Sequence, residues 1–282
     1  MIATAFQPHR DRLVALAYRM LGSVAGAEDV VQETWVRWSE APDVANPRAW
    51  LVTVCTRLCL DELRSARARR EQHTGPWLPE PWVDEAPPPP GVLAESLSMA
   101  FLLLLEVLSP RERAAFLLRE VFEEDYDAIA AVLDTSPANV RQLVRRAKAA
   151  IDADRPRFDA DPEAHQALLA AFGAALQSGD RGALEALLCA DVVATSDGGG
   201  RAPAATRLLH GPERVSKFVH GVFRKAPPER FSARPCWVNG QPGLVAVYDG
   251  AVFSVIAMSV VQGRIARWDT VLDPLKLGHV RA

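Results

Sequence analysis

The sequence predicts two helical domains followed by a third domain of helices and antiparallel strands. Up to about residue 158, apolar residues recur at helical spacing. A segment rich in proline and tryptophan, residues 73–91, separates two helical blocks, residues 1–72 and 92–158. In residues 159–282, helical patterns give way to strand-like runs separated by turn-forming dipeptides. A chain of 282 residues is long enough for this organisation.

Composition excludes several classes of protein. No apolar run approaches the ~20 residues that span a bilayer, and the N-terminus carries no signal-peptide pattern, so no membrane association is expected. Four cysteines without a repeating framework predict reduced thiols and a cytoplasmic location. Cys55 and Cys59 are interpreted as core residues, because no nearby Cys or His completes a metal site. We expect no metal and no cofactor.

Charge is unevenly distributed, although the net charge is only −3. Residues 48–70 hold six Arg against Asp61 and Glu62, and residues 137–157 hold five Arg and one Lys against two Asp. Each segment therefore has a net charge of +4 (6 − 2 in both cases). This pattern predicts two discrete phosphate-facing surfaces, with two solvated helix faces as the alternative.

The first block has the pattern of amphipathic helices. A first helical stripe contains Val30, Val31, Thr34, Trp35 and Trp38. After a break at Ala41–Asn46, Asn46 caps a new helix with Pro47 at its first position. That helix ends in an arginine cluster.

The second block contains a predicted helix-turn-helix. Ser109-Pro110-Arg111-Glu112 is a capping box. A helix at Tyr126–Leu133, a turn at Asp134–Ser136 and a helix at Pro137–Ala150 follow. The second helix is predicted to enter the major groove of DNA. The alternative is a generic basic helical hairpin. For the second helix, the predicted DNA-facing residues are Ser136, Asn139, Arg141, Gln142, Arg145, Arg146 and Lys148.

The third block has an α+β pattern. Helices are predicted at His165–Gln177, at Ala183–Leu188 after an Asp180 cap, and at Pro212–Lys225. Strands are predicted at Arg230–Val238, Leu244–Tyr248, Ala251–Val261 and Arg264–Leu272. The turns between them are Asn239-Gly240, Asp249-Gly250 and Gln262-Gly263.

Residues 5–155 resemble the sigma factors of the extracytoplasmic-function group, which are promoter-recognition subunits of RNA polymerase. Gly26–Arg37 (GAEDVVQETWVR) resembles their polymerase-binding helix, and Asn46–Leu51 (NPRAWL) through Asp61–Arg64 (DELR) resembles their −10 element helix. Leu108–Arg113 (LSPRER) and the helix-turn-helix resemble their −35 reader.

This resemblance implies partners and site residues. The partners are promoter DNA and the β′ and β subunits of the polymerase core. Core contacts fall on Asp29, Gln32, Glu33 and Arg37. The −10 contacts fall on Asn46, Arg48, Arg57, Asp61, Arg64 and Arg67.

The third block resembles a SnoaL-like (NTF2-like) cone, in which helices pack against a curved sheet around a cavity. The resembling segments are Trp77-Leu78-Pro79-Glu80-Pro81, Asp197-Gly198-Gly199-Gly200 and Asp273-Pro274-Leu275-Lys276-Leu277. In the last of them, Asp273 replaces the usual Asn and Leu275 the usual Asp. The resemblance implies that this domain regulates the sigma factor in cis, with the proline-rich segment as its docking peptide and the cavity as a possible ligand site.

Two other functions remain open at this stage. A free helix-turn-helix regulator with a ligand-sensing C-terminal domain would bind DNA without polymerase. Alternatively, the cone could retain an enzymatic activity through acid–base residues, for which Asp197, His210, His220 and Asp269 are the candidates. No pair of them has a recognisable spacing, and no catalytic residue is assigned.

Overall fold

The computed structural model describes residues 2–41, 44–70, 75–85, 97–154, 162–225 and 229–282. Within these ranges the side chains of residues 2–4, 66–70, 153–154, 162–163 and 165 lie outside the description. The chain folds as two compact units. The first combines Met1–Gln72 with Leu102–Arg155, and the second combines His73–Phe101 with Pro156–Ala282.

The first unit is helical. Its elements are α1 (Ile2–Leu21), α2 (Val24–Glu40), α3 (Pro47–Arg70), α5 (Pro110–Phe116), a π-helical segment (Leu117–Val121), α6 (Tyr126–Leu133) and α7 (Pro137–Asp154). Another helix, α4 (Met99–Leu105), leads into it. Tyr18, Leu51 and Leu117 are fully buried in this unit, and the buried Arg113 donates to the carbonyl of Met20 at 2.7 Å. This bond joins the start of the second helical block to α1.

The predicted caps at Asn46 and Ser109 are confirmed, and Ser136 caps α7. The Asn46 side chain accepts a hydrogen bond from the Ala49 amide at 3.1 Å. Ser109 and Glu112 form the reciprocal capping box. The Ser136 hydroxyl accepts from the Asn139 amide at 3.2 Å. These local bonds start α3, α5 and α7 where the sequence predicts.

The helix-turn-helix is formed by α6 and α7. Asp125 caps α6, and Asp134 ends it in the left-handed region with φ 49°. In these two helices, Ile129, Ala130, Leu133, Val140 and Leu143 are all buried. Helix α7 continues to Asp154, past the predicted end at Ala150.

The second unit is α+β. Its helices are α8 (Pro162–Ser178), α9 (Arg181–Ala186), α10 (Pro212–Phe223) and α11 (Pro274–Leu277). Its strands are β1 (Val83–Asp84), β2 (Leu188–Asp197), β3 (Leu209–His210), β4 (Phe231–Val238), β5 (Gln241–Tyr248), β6 (Ala251–Val261) and β7 (Arg264–Val271). The sheet order is β1-β4-β5-β6-β7-β2-β3. All neighbouring strands are antiparallel except β2 and β7, which are parallel.

The four predicted strands are present as the antiparallel meander β4–β7, so the α+β prediction is confirmed. Helix α9 ends at Ala186, not at the predicted Leu188. The residues after it form the unpredicted strand β2, because Val192 and Ala194 pack into the core beside Phe172 and Trp268. Strand β2 therefore completes the sheet and brings Asp197, its last residue, next to the end of β7.

Candidate functional site

Helix α7 presents a basic face to solvent. Arg141, Gln142, Arg145, Arg146 and Lys148 are exposed, while Val140, Leu143, Val144 and Ala147 are buried. Ser136 and Asn139 also have local roles: Ser136 caps the helix, and Asn139 is half-buried and donates to the Thr135 hydroxyl. Arg146 and Lys148 also form ion pairs, with Glu112 at 3.1 Å and with Glu120 at 2.7 Å. An exposed face with Arg and Gln side chains suits contacts with base edges and phosphates, as a recognition helix requires.

The outer face of α2 combines charge with an apolar group. Asp29, Gln32, Glu33 and Arg37 are all exposed, and Glu33 pairs with Arg37 at 2.9 Å. Val36, between them, is 42% exposed. An exposed apolar side chain ringed by charges suits a protein interface.

The six residues predicted at the −10 element do not share one environment. Asp61 and Arg64 are exposed and pair with each other at 2.9 Å. Asn46 is exposed and caps α3, and Arg67 has a side chain outside the described residues. The other two, Arg48 and Arg57, are bound to the helix-turn-helix half of the unit.

Arg48 and Arg57 contact opposite ends of α6. Arg48 pairs at 2.7 Å with Glu124, which also pairs with Arg12 at 3.0 Å. Arg57 donates to the carbonyls of Val132 at 3.1 Å and Ala131 at 3.2 Å. These carbonyls lie in the last turn of α6 and have no partner within the helix, so a cation there is favourable.

Removing the Arg57 side chain should loosen the last turn of α6. Each of its two hydrogen bonds contributes on the order of 1 kcal/mol, so Arg57→Ala should accelerate amide hydrogen exchange in residues 131–135 by roughly 5-fold or more. Arg64→Ala is the matched control, because Arg64 bonds only to Asp61 among the described residues. Equal exchange in the two variants would contradict the contact between α3 and α6.

A second site lies wholly within the second unit, where the proline-rich segment meets Asp197. The Asp197 carboxylate is fully buried and accepts from the Leu78 amide at 2.8 Å and from the Lys276 ammonium at 2.7 Å. Lys276 also donates to the Leu78 carbonyl at 2.5 Å and lies 4.5 Å from the Trp77 ring centroid. We call Leu78, Asp197, Gly199, Asp273 and Lys276 the clasp.

The backbone around Asp197 joins the sheet to the tail. The Asp197 carbonyl accepts from the amides of Leu272 at 2.7 Å and Asp273 at 3.0 Å. Asp273 caps α11 through the Leu275 amide and pairs with Arg201 at 3.3 Å. Leu277 is buried and Leu275 is exposed, so the tail is held by Asp273, Lys276 and Leu277 and not by Leu275.

The three glycines after Asp197 are required by space and conformation. A Cβ at Gly198 would lie 2.3 Å from the Ala202 carbonyl oxygen, and one at Gly199 would lie 2.1 Å from an Asp273 carboxylate oxygen. Gly199 and Gly200 also have positive φ angles of 59° and 71°. The Gly199 amide donates to Asp197 at 2.9 Å.

The carboxyl group of Asp197 is held ionised. Burial by itself raises its pKa, but the attraction of the Lys276 ammonium and the hydrogen bonds from Lys276, Leu78 and Gly199 outweigh burial and hold the pKa of Asp197 below its ordinary value. A buried, paired carboxylate of this kind can hold the linker firmly across the neutral pH range.

Two residues that the sequence did not identify extend the attachment of the linker. The Asn239 side chain accepts from the Trp82 amide at 3.3 Å and donates to the Leu97 carbonyl at 3.1 Å. Beyond this bond, Val83 and Asp84 form β1 at the edge of the sheet, paired with β4. His279 contacts the Pro81 carbonyl at 2.8 Å. The linker thus joins the sheet as an added strand.

Comparisons with known proteins cover both units. Residues 5–69 match the Sigma-70 region 2 family and residues 98–151 match the Sigma-70 region 4 family. The chain is 40% identical to the ECF RNA polymerase sigma factor SigJ of Mycobacterium tuberculosis, over 95% of this chain and 91% of that protein. It is 34% identical to the probable ECF RNA polymerase sigma factor SigI of the same species, over 100% of this chain and 96% of that protein.

The chain belongs to the ECF RNA polymerase sigma factors. The crystal structure of Mycobacterium tuberculosis SigJ superposes with a TM-score of 0.81 at 35% identity and covers 98% of each chain. The predicted family, and the predicted order of helical sigma domains followed by an α+β domain, are therefore confirmed.

In the structure of this ECF sigma factor, the four candidate acid–base residues lie on four different elements. Asp197 is in the clasp, and Asp269 pairs with Arg267 at 3.0 Å. His210 lies exposed on β3 and His220 lies on α10. Within the described residues, no cluster of three or more His, Cys, Asp or Glu suits a metal ion, and no helix is long and apolar enough to cross a membrane.

Proposed function

We propose that this sigma factor binds the RNA polymerase core, reads the −10 and −35 promoter elements, and is regulated in cis by its second unit through the clasp. The observation that carries the proposal is the position of Asp197. One buried carboxylate holds both the linker, through the Leu78 amide, and the C-terminal tail, through Lys276. The bound linker lies in sequence between the two family regions of the sigma factor.

Each surface has a distinct role in this proposal. The exposed face of α2, with Asp29, Gln32, Glu33 and Arg37 around Val36, contacts β′ of the core. The basic face of α7 reads the −35 element. Helix α3 contacts the −10 element. The polymerase β subunit is the second partner in the core, beside β′. The factor acts in the cytoplasm, where its polymerase and promoters are.

The contacts of Arg48 and Arg57 support a closed state of the first unit. Both arginines belong to the proposed −10 surface, yet both are bound to groups at the ends of α6. They cannot hold those partners and a DNA backbone through the same donors. Full use of these two guanidinium groups on a DNA backbone therefore competes with these bonds, and the closed state has reduced affinity for the −10 element.

The proposed domain boundaries follow from these roles. Residues 1–72 form the core-binding and −10 domain, and residues 92–158 form the −35 domain. Residues 73–91 are the linker, and residues 159–282 form the regulatory domain. We propose no enzymatic activity for it, which is supported by the ion pairs that hold Asp197 with Lys276 and Asp269 with Arg267.

The experiment is transcription in vitro with the polymerase core, comparing three proteins. They are the full chain, a truncation ending near Asp159, and a deletion of Asp273–Ala282. The tail deletion removes Lys276 and Asp273 from the clasp, so we expect its output to differ from that of the full chain by several-fold. Equal output from all three proteins would reject cis regulation. Operator binding without core, and no transcription with it, would indicate a free helix-turn-helix regulator.

A further inference from the structure

The second unit contains a cavity that none of the proposed roles uses. The cavity has a volume of about 410 Å³ and lies between α10 and one face of the sheet. This volume is within the range of ~300–1,000 Å³ that is usual for small-molecule sites. Its aromatic lining residues are Phe218, Phe223, Phe231, Tyr248, Phe253 and Trp268. Aliphatic side chains from α10 and the sheet complete most of the remaining wall.

Two buried hydroxyl groups face this apolar space. Ser196 on β2 is 4% exposed and Ser254 on β6 is 3% exposed, and both line the cavity. Thr270 also lines the cavity and is paired in register with Ser196 across β2 and β7. In an otherwise apolar cavity, hydroxyl groups such as these favour a ligand with a polar group that can hydrogen-bond with them.

The lining also limits the charge of a ligand. Among the lining residues that the structure describes, none is an acid or a histidine, and the one cation, Lys225, is exposed to solvent. An anionic group placed beside Ser196 and Ser254 would lose its hydration without gaining a buried cation. A hydroxyl or carbonyl group would satisfy the two serines at no such cost.

We propose that this cavity binds a small, uncharged, ring-containing molecule that carries a hydroxyl or carbonyl group. Its rings pack against the aromatic wall, and its polar group hydrogen-bonds with Ser196 and Ser254. The cavity shares its polypeptide with the clasp: Ser196 precedes Asp197, and Leu272, which lines the cavity, precedes Asp273. Ligand binding therefore changes the hold on the linker, a consequence that rests on the proposed cis regulation.

The test measures binding of the fluorescent, uncharged probe N-phenyl-1-naphthylamine to the full chain. Naphthalene, 2-naphthol or 2-naphthoate is then added to displace the probe. We expect 2-naphthol to displace the probe at a lower concentration than naphthalene or 2-naphthoate. The double variant Ser196→Ala/Ser254→Ala should lower the affinity for 2-naphthol by roughly 3- to 10-fold and leave the affinity for naphthalene unchanged. Absence of probe binding, or tighter binding of 2-naphthoate than of 2-naphthol, would overturn the proposal.

Two further variants test where the probe binds: one fills the cavity, and its matched control adds the same side chain at an exposed position. Ala246 lines the cavity and is 1% exposed, whereas Ala251 is exposed at the start of β6. Ala246→Phe should weaken the probe by at least about 10-fold, whereas Ala251→Phe should leave its affinity unchanged. Equal affinity in these two variants would place the probe elsewhere and overturn the site.

Coupling to the clasp has a separate readout, which is amide exchange in residues 77–82 with and without saturating 2-naphthol. A change in exchange supports coupling. Unchanged exchange with intact binding overturns the coupling and leaves the binding site standing. This measurement needs no polymerase, so its result does not depend on the proposed transcriptional role. A failure of that role is detected separately, by transcription in vitro.

Discussion

Replacing Asp197 with Asn releases the linker and lowers the free energy of unfolding of the second unit by about 3 kcal/mol. The physical reason is that Lys276, only 12% exposed, keeps its charge while losing its buried partner. Hydrogen exchange of the Leu78 amide should accelerate, and denaturation should shift to lower denaturant concentration. Asp249→Asn is the matched control, because Asp249 pairs with Arg230 in the same unit but is exposed. Its effect on stability should be small.

The pH dependence of linker release follows from the depressed pKa of Asp197. A carboxyl group whose pKa is lower in the folded state stabilises that state. Its contribution is fully present at pH values above the unfolded-state pKa of ~3.9 and is lost as the pH falls through the folded-state pKa. Exchange of the Leu78 amide, corrected for its intrinsic rate, should stay constant from about pH 8 to about pH 5 in the natural protein. It should rise only at more acidic pH. A rise between pH 8 and pH 5 would contradict an ionised clasp.

Transcription should respond to Asp197→Asn in the same direction as to deletion of Asp273–Ala282, because each removes one half of the same ion pair. Combining the two changes should add little to either alone. Additive effects of comparable size would mean that the tail acts through contacts other than Asp197.

Replacing Arg141 and Arg145 together with Ala should lower transcription from a cognate promoter by at least about 30-fold. Both side chains lie on the exposed face of α7, and each base or phosphate contact contributes roughly 1–3 kcal/mol. Binding to the polymerase core should not change, since core contact is assigned to α2. Both quantities can be measured with the same protein, by transcription in vitro and by titration with labelled core.

The control for this pair is Arg181→Ala, which removes an exposed arginine from α9 in the second unit. It should leave transcription unchanged. A loss of core binding by the Arg141→Ala/Arg145→Ala variant would contradict the separation of DNA-binding and core-binding surfaces.

Local rules predicted much of the fold. Asn46, Ser109 and Ser136 each begin a helix through bonds to residues three positions away, so a short stretch of sequence contains the whole cause. The meander β4–β7 was visible because its turn residues, such as Asn239, adopt positive φ angles that few residue types tolerate.

The parts that were missed depend on distant residues. Strand β2 exists because its side chains fit the core formed with α8 and β7, which no local pattern shows. The bonds of Arg57 to Ala131 and Val132 join residues more than 70 positions apart, so no local pattern predicts them, and the DNA contact of Arg57 stays a prediction. Asn239 was read as a turn residue, and its contact with Trp82 could not be seen from the turn itself.

The most direct test of the central claim is transcription in vitro with purified polymerase core, the full chain and a library of promoter sequences. We predict that the chain with core produces transcripts starting at defined positions downstream of a shared pair of −35 and −10 elements, and that neither component does so alone. Transcripts no different from those of core alone, across the whole library, would contradict the account.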